Sequence, residues 1–283
     1  MIIDNFKMTE ALALADSARY YHWCVDLSLA GEDYKVNEIV CFVNDESDPL
    51  SDFVQVKKYD MGCLLILLYT EKNELIDECM DYVDAIAKGF PEIEIRTPYP
   101  SFFESDRIKG KYAVVPVANP SNPVFYIHSA DELVPNRKHE AVEVHQYRGD
   151  ADKAAIFSAV NGGRIDVANM NADMFVPCTV FKDVKWYIMC IDGEIAGYLR
   201  AECGYGNIYD IGWLYVEPRY RGHGYAVDLV TYFSKDMFAR QAIPHYGYAV
   251  SEESVSVAKK CGYICDNVKI ECRCLLPVWN ETK

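Results

Sequence analysis

Arg221-Gly222-His223-Gly224-Tyr225-Ala226 is the stretch whose residue types and spacing can do chemistry. It follows a strand pattern that breaks at Pro218. It opens an amphipathic helix pattern reaching about Arg240, with Ala226, Val230, Phe233 and Met237 on one face. Gly222, Gly224 and Ala226 leave the backbone bare where that helix begins. The first N–H groups of a helix lack acceptors within it, and the helix dipole concentrates positive charge there. The segment therefore predicts an anion site with a phosphate or pyrophosphate as its natural ligand. A Walker loop is excluded, because the Gly-Lys-Ser/Thr ending is missing. A dinucleotide fingerprint fails as well, since Val227 stands where its third glycine belongs.

The elements that must position this loop follow from hydrophobic periodicity. In the second half, Ala141–Tyr147 reads as a strand and Asp150–Asn161 as a helix. Lys185–Ile191 and Glu194–Cys203 form a hairpin about Asp192-Gly193. Tyr209–Val216 is the strand before the loop, and His245–Val250 follows its helix. Ser251 caps a further helix with Glu252 and Glu253 in its first turn and Lys259 and Lys260 in its last, stopped by Gly262. Ile270–Leu275 closes the set as a strand.

The first half reads as one helix over Met8–Ala30, a strand over Glu38–Val43, a polar loop over Asn44–Asp52 and a buried strand over Gly62–Tyr69. An amphipathic helix, Glu74–Lys88, turns Leu75, Ile76, Met80, Val83 and Ile86 inward. Glu92–Arg96, Tyr112–Val117 and Val124–His128 are short strands. The polar stretch Asp131–Glu140 suggests a boundary, giving domains 1–138 and 139–283.

Composition narrows the function. The 283 residues carry a net charge of −15, with −12 in residues 1–140 and −3 in 141–283. No basic face is available to meet nucleic-acid phosphates. The longest strongly apolar run, Gly62–Tyr69, falls far short of the roughly 20 residues a membrane span needs. The 11 cysteines are odd in number and irregularly spaced. They read as buried thiols rather than a disulfide framework or a zinc site, which implies a cytoplasmic protein without a metal. Nothing in the sequence specifies an oligomer.

The run Val216-x-Pro218-x-Tyr220-Arg221-Gly222-x-Gly224-x-Ala226 resembles the coenzyme A motif of the GNAT acetyltransferase superfamily. Ile211–Val216 resembles that family's pantetheine-binding strand. Ser251–Ser254 and Lys260-Cys261-Gly262-Tyr263 resemble its second motif. The resemblance covers about residues 141–280. It implies an α/β (α+β) fold with a mixed, mostly antiparallel sheet flanked by helices, joined to an N-terminal α/β domain. That first domain loosely resembles a degenerate GNAT-like half, as in glycine N-acyltransferase-like members.

The resemblance also implies roles. Backbone N–H groups of Gly222, His223, Gly224, Tyr225 and Ala226 would cradle the pyrophosphate of acetyl-CoA, with Arg221 also binding the cofactor. Leu214, Tyr215 and Val216 would line its pantetheine arm, with the Leu214 N–H facing the thioester carbonyl. Ser251 or Ser254 would touch the cofactor from the neighbouring helix. Asp210 falls where related enzymes carry a strand glutamate, and so is the candidate base; a turn-capping aspartate is the competing account. The family's acid tyrosine is replaced by Ala258, so Tyr248, or Tyr246, becomes the candidate acid. His223 reads as a loop-shaping residue. The expected reaction is direct acetyl transfer from acetyl-CoA to the amine of a small molecule. A protein or peptide amine is one alternative; a non-catalytic acyl-CoA-binding sensor is another.

Overall fold

The computed structural model describes residues 1–31, 36–117, 123–135, 139–140, 142–153, 181, 183–249, 251–266 and 270–278. The chain divides into two compact units, residues 1–121 with 267–283, and residues 122–266.

The first unit begins with β1 (Ile2–Ile3), α1 (Asn5–Asp16), α2 (Tyr21–Leu29), β2 (Val36–Val43), β3 (Phe53–Tyr59) and β4 (Cys63–Tyr69). It continues through α3 (Asn73–Ile86), β5 (Glu92–Thr97) and β6 (Tyr112–Pro116). The expected helix over Met8–Ala30 is two helices. Asp16 interrupts it: its carboxylate accepts the Arg19 N–H at 3.0 Å and its carbonyl accepts that of Tyr20 at 3.0 Å. Leu14, an apolar residue within that expected helix, is 84% exposed. β3 is absent from the sequence reading because Gln55 and Lys57 interrupt its apolar run. Both are buried, and Lys57 Nζ meets Asp26 of α2 at 2.5 Å. α3 presents Leu75, Ile76, Cys79, Met80 and Val83 to the core, as its spacing predicts.

The second unit comprises β7 (Val124–Tyr126), β8 (Val142–Gln146), β9 (Asp183–Ile191), β10 (Glu194–Tyr205) and β11 (Ile208–Val216). It then runs through α4 (Tyr225–Ala239), β12 (Ile243–Tyr248), α5 (Glu252–Cys261) and β13 (Ile264–Cys265). The helix expected over Asp150–Asn161 is described only for residues 150–153, the rest lying outside the described residues. A final strand, β14 (Glu271–Pro277), belongs to the first unit.

Each unit holds a seven-stranded sheet, in the orders β1-β2-β3-β4-β5-β14-β6 and β8-β9-β10-β11-β12-β7-β13. The two pairing patterns coincide. In each, the fourth and fifth strands are parallel and every other neighbouring pair is antiparallel. The sixth position is filled from elsewhere in the chain. β7, which follows the first unit in sequence, completes the second sheet; β14, which follows the second unit, completes the first. These units differ from the 1–138 and 139–283 division, because the polarity of Asp131–Glu140 says nothing about which sheet the flanking strands join.

The parallel pairs differ in length. β4 and β5 run in register over five positions, from Cys63↔Glu92 to Leu67↔Arg96. β11 and β12 pair at only three, Ile208↔Ile243, Tyr209↔Pro244 and Asp210↔His245. Beyond Asp210, the β12-facing edge of β11 has no strand partner among the described residues. β11 also bulges against β10: Arg200 faces Trp213 and Ala201 faces Ile211, leaving Gly212 as the extra residue.

Candidate active site

The glycine loop starts from β11. Leu214 and Val216 turn toward the core shared with α4. Tyr215 faces the other way, stacked on Tyr198 with centroids 5.3 Å apart. The Arg221 side chain folds back: Nε donates to the Val216 carbonyl at 2.8 Å, and the guanidinium lies 5.8 Å from the Tyr215 ring centre. It thereby ties the loop to the strand end. His223 Nδ1 lies 2.9 Å from the Arg221 carbonyl, and its ring stacks on Tyr225. These contacts hold the His223 ring against the loop.

α4 starts without a side-chain cap, at Gly224 with φ +87°. That left-handed conformation is costly for any residue with a Cβ. Among the described residues, no acceptor meets the N–H groups of Gly222 through Ala226. A run of unsatisfied donors at the positive end of a 15-residue helix fits an anionic group such as a pyrophosphate.

The first unit lacks this arrangement. Between β4 and α3 only Thr70, Glu71 and Lys72 intervene, with no glycine and with an acidic side chain beside the helix start. Its parallel strands also stay paired where β11 and β12 part.

Asp210 occupies the last rung before the strands of the second unit separate. Its Oδ1 lies 2.7 Å from His245 Nδ1, and the imidazole is fully buried. The Gly247 N–H also approaches Nδ1, at 3.1 Å. A nitrogen donating to the carboxylate cannot accept from Gly247 at the same time; the shorter, charge-assisted contact fixes the proton between the ring and Asp210. Gly247 makes room for that carboxylate. A Cβ built there would stand 2.6 Å from Asp210 Oδ1, and φ is +59°. Gly247→Ala is therefore expected to displace Asp210 and to cost about 1–3 kcal/mol of stability through strain. Thermal melting of the variant beside its turnover checks both effects.

His245 and Gly247 are the residues that the sequence reading missed. Their signal is the parallel register that sets residue 245 opposite residue 210, and one sequence does not reveal that pairing.

The remaining candidates divide. Ser251 caps α5, its hydroxyl accepting the Ser254 N–H at 3.1 Å. Ser254 Oγ lies 3.2 Å from the Tyr246 hydroxyl. Tyr246 is buried, and burial pushes its phenol up to about 12. Tyr248 ends β12, with its backbone in register with Val124. Ala258 is fully buried in the core. Burial pushes the Cys261 thiol up to about 12, which leaves it inert as a nucleophile. The ten described cysteines are free thiols.

Residues 169–263 match the family model for the Acetyltransferase (GNAT) family. The second unit carries a GNAT acetyltransferase domain over these residues. The match ends at Tyr263, the residue after the Gly262 that stops α5. No curated protein sequence matches the chain. Solved structures share the fold at low identity. A GCN5-related N-acetyltransferase from Sphaerobacter thermophilus is 13% identical, with a TM-score of 0.51, over 95% of this chain and 92% of that one. A Drosophila protein is also 13% identical, with a TM-score of 0.52, over 98% and 97%. A tandem GNAT protein from the clavulanic acid biosynthesis pathway is 11% identical, with a TM-score of 0.50, over 96% and 93%. In the GNAT domain, the loop, the parted strands and Asp210 lie along one strand–turn–helix unit. No helix among the described residues is long and apolar enough to cross a membrane.

Proposed function

We propose that the protein transfers an acetyl group from acetyl-CoA to the amine of a small molecule. The observation that carries this reading is the run of N–H groups over Gly222–Ala226 with no acceptor among the described residues, placed at the end of a strand whose β12-facing edge has no strand partner among them from Ile211 to Val216. The loop would hold the pyrophosphate. The open edge of β11 would take the pantetheine arm as an added strand, with backbone groups of Leu214 and Val216 as partners. Acetyl-CoA supplies the activated acyl group. The chain supplies position and a proton acceptor.

Only a neutral amine attacks a thioester, so a proton must leave the acceptor. Asp210 is the acceptor in this proposal. The carboxylate–imidazole pair with His245 carries a negative charge when the ring is neutral, so it can take one proton and hold it at the point where the strands part. Tyr248, at the end of β12, is the proposed donor to the departing thiolate. Asp210→Asn is expected to lower kcat at least tenfold while acetyl-CoA affinity changes less than about twofold. Steady-state kinetics together with calorimetric titration check the split.

A second reading, a non-catalytic acyl-CoA sensor, draws support from Ala258, which puts a buried methyl group where related enzymes carry a tyrosine. The two separate in one assay. Titration with acetyl-CoA is followed by thiol release across a panel of amines. Release that depends on an amine supports transfer. Binding without release by any small or peptide amine favours the sensor, and no binding overturns both.

A further inference from the structure

His139 stands beside the glycine loop, and no motif singles it out. Its Nδ1 lies 2.6 Å from Asp228 Oδ2. Asp228 sits in the first turn of α4 with its side chain only 2% exposed, while the imidazole is 43% exposed. A buried carboxylate takes the Nδ1–H and fixes the plane of the ring. Nε2 becomes the outward nitrogen. A Cβ built on Gly224 would lie 3.4 Å from His139 Cε1 and 4.0 Å from Nε2, so the free edge of the ring borders the residue that opens α4. The ring also packs edge-on against Tyr225, with centroids 5.0 Å apart.

Asp228 otherwise works against an anion site. It puts a negative charge, poorly screened by water, one turn from where a phosphate would rest. A cationic imidazole between the two removes that conflict and adds a donor. We propose that His139, held by Asp228, is a phosphate-binding residue of this loop, with Nε2–H donating to a phosphate oxygen of the cofactor. The inference rests on the acetyl-CoA reading of the loop and extends it to a residue 82 positions upstream of Arg221.

Imidazole changes charge between about pH 5 and 8, so this contact makes cofactor binding pH-dependent. Among the described residues, the titratable and charged groups about the ring are Asp228 and Tyr225 from α4, Glu140 beside it in sequence, His223, which stacks on Tyr225 and meets the Arg221 carbonyl, and the Cys261 thiol of α5, which feels the Asp228 charge. His223 is the other group among these that ordinarily titrates in that range, so it needs its own variant.

The test is calorimetric titration of the full-length protein with acetyl-CoA at about pH 6 and about pH 8. The wild type is expected to bind about tenfold more tightly at the lower pH, with proton uptake visible as a buffer-dependent heat. His139→Gln is expected to bind about tenfold more weakly at the lower pH and to lose the pH dependence, with a wild-type far-UV circular dichroism spectrum. His223→Gln is expected to keep the pH dependence. Dephospho-CoA locates the contact: a loss seen equally with this ligand assigns the pyrophosphate, and a loss confined to CoA assigns the 3′-phosphate. A His139→Gln protein with wild-type affinity and pH dependence overturns the proposal. A wild type that binds acetyl-CoA at neither pH overturns instead the reading of the loop on which it rests.

Discussion

Gly224→Glu is expected to show no saturable binding of acetyl-CoA up to about 1 mM, a loss of at least a hundredfold for a micromolar site. Two effects add. Position 224 has φ +87°, so any side chain there costs about 1 kcal/mol and shifts the loop. The new Cβ would itself make only an ordinary van der Waals contact with the His139 ring, at 3.4 Å. Above all, a carboxylate would stand at the mouth of the donors that are to hold a pyrophosphate. At about 5 Å and an effective dielectric constant near 20, each unit of like charge costs about 3 kcal/mol. Gly224→Ala keeps the conformational cost and omits the charge, so it should weaken binding by only about tenfold. Position 224 is exposed, so both variants should melt close to the wild type. Calorimetric titration decides the matter: unchanged affinity in Gly224→Glu would remove the phosphate site from the account.

The second large effect concerns folding. A fragment spanning 139–283 is expected to be unfolded or insoluble, whereas 122–266 is expected to fold, with far-UV circular dichroism and limited proteolysis as the readouts. The first fragment lacks β7, which pairs with both β12 and β13. It loses Phe125 and Ile127, both fully buried in the core of the second unit. Each such side chain contributes about 2–3 kcal/mol by burial, before the lost strand hydrogen bonds are counted. That loss is comparable with the roughly 5–15 kcal/mol by which a whole domain is stable. The fragment also keeps β14, whose partners β5 and β6 are gone, and so adds an unpaired strand to a broken sheet. A well-folded 139–283 would show that β7 is dispensable.

The legible parts of this protein are the local ones. The glycine loop is written in consecutive residues because a helix start with bare donors needs small side chains at fixed offsets. α5 announces both its ends, with Ser251 as cap and Gly262 in the left-handed conformation. The Asp192-Gly193 turn declares its hairpin through two consecutive positive φ angles. What the sequence hides is non-local. Gln55 and Lys57 look like loop residues until Asp26 of α2 is seen to meet Lys57. Asp210 and His245 lie 35 residues apart and become one unit only through parallel register. The division into compact units is hidden for the same reason, since a short strand carries no mark of the sheet it will join.

The exchanged strands also set an order of events during synthesis. The half of the protein that leaves the ribosome first cannot close its sheet first. β5 waits for β14, and the Cys274–Glu92 contact between them spans 182 positions of chain. β7, by contrast, is already present when β12 and β13 are made. The GNAT domain can therefore close while the older half still exposes the edges of β5 and β6, which are open to pairing with another nascent chain. Maturation runs backward along the sequence, and β14, translated after the strands of the second sheet, seals the first sheet begun.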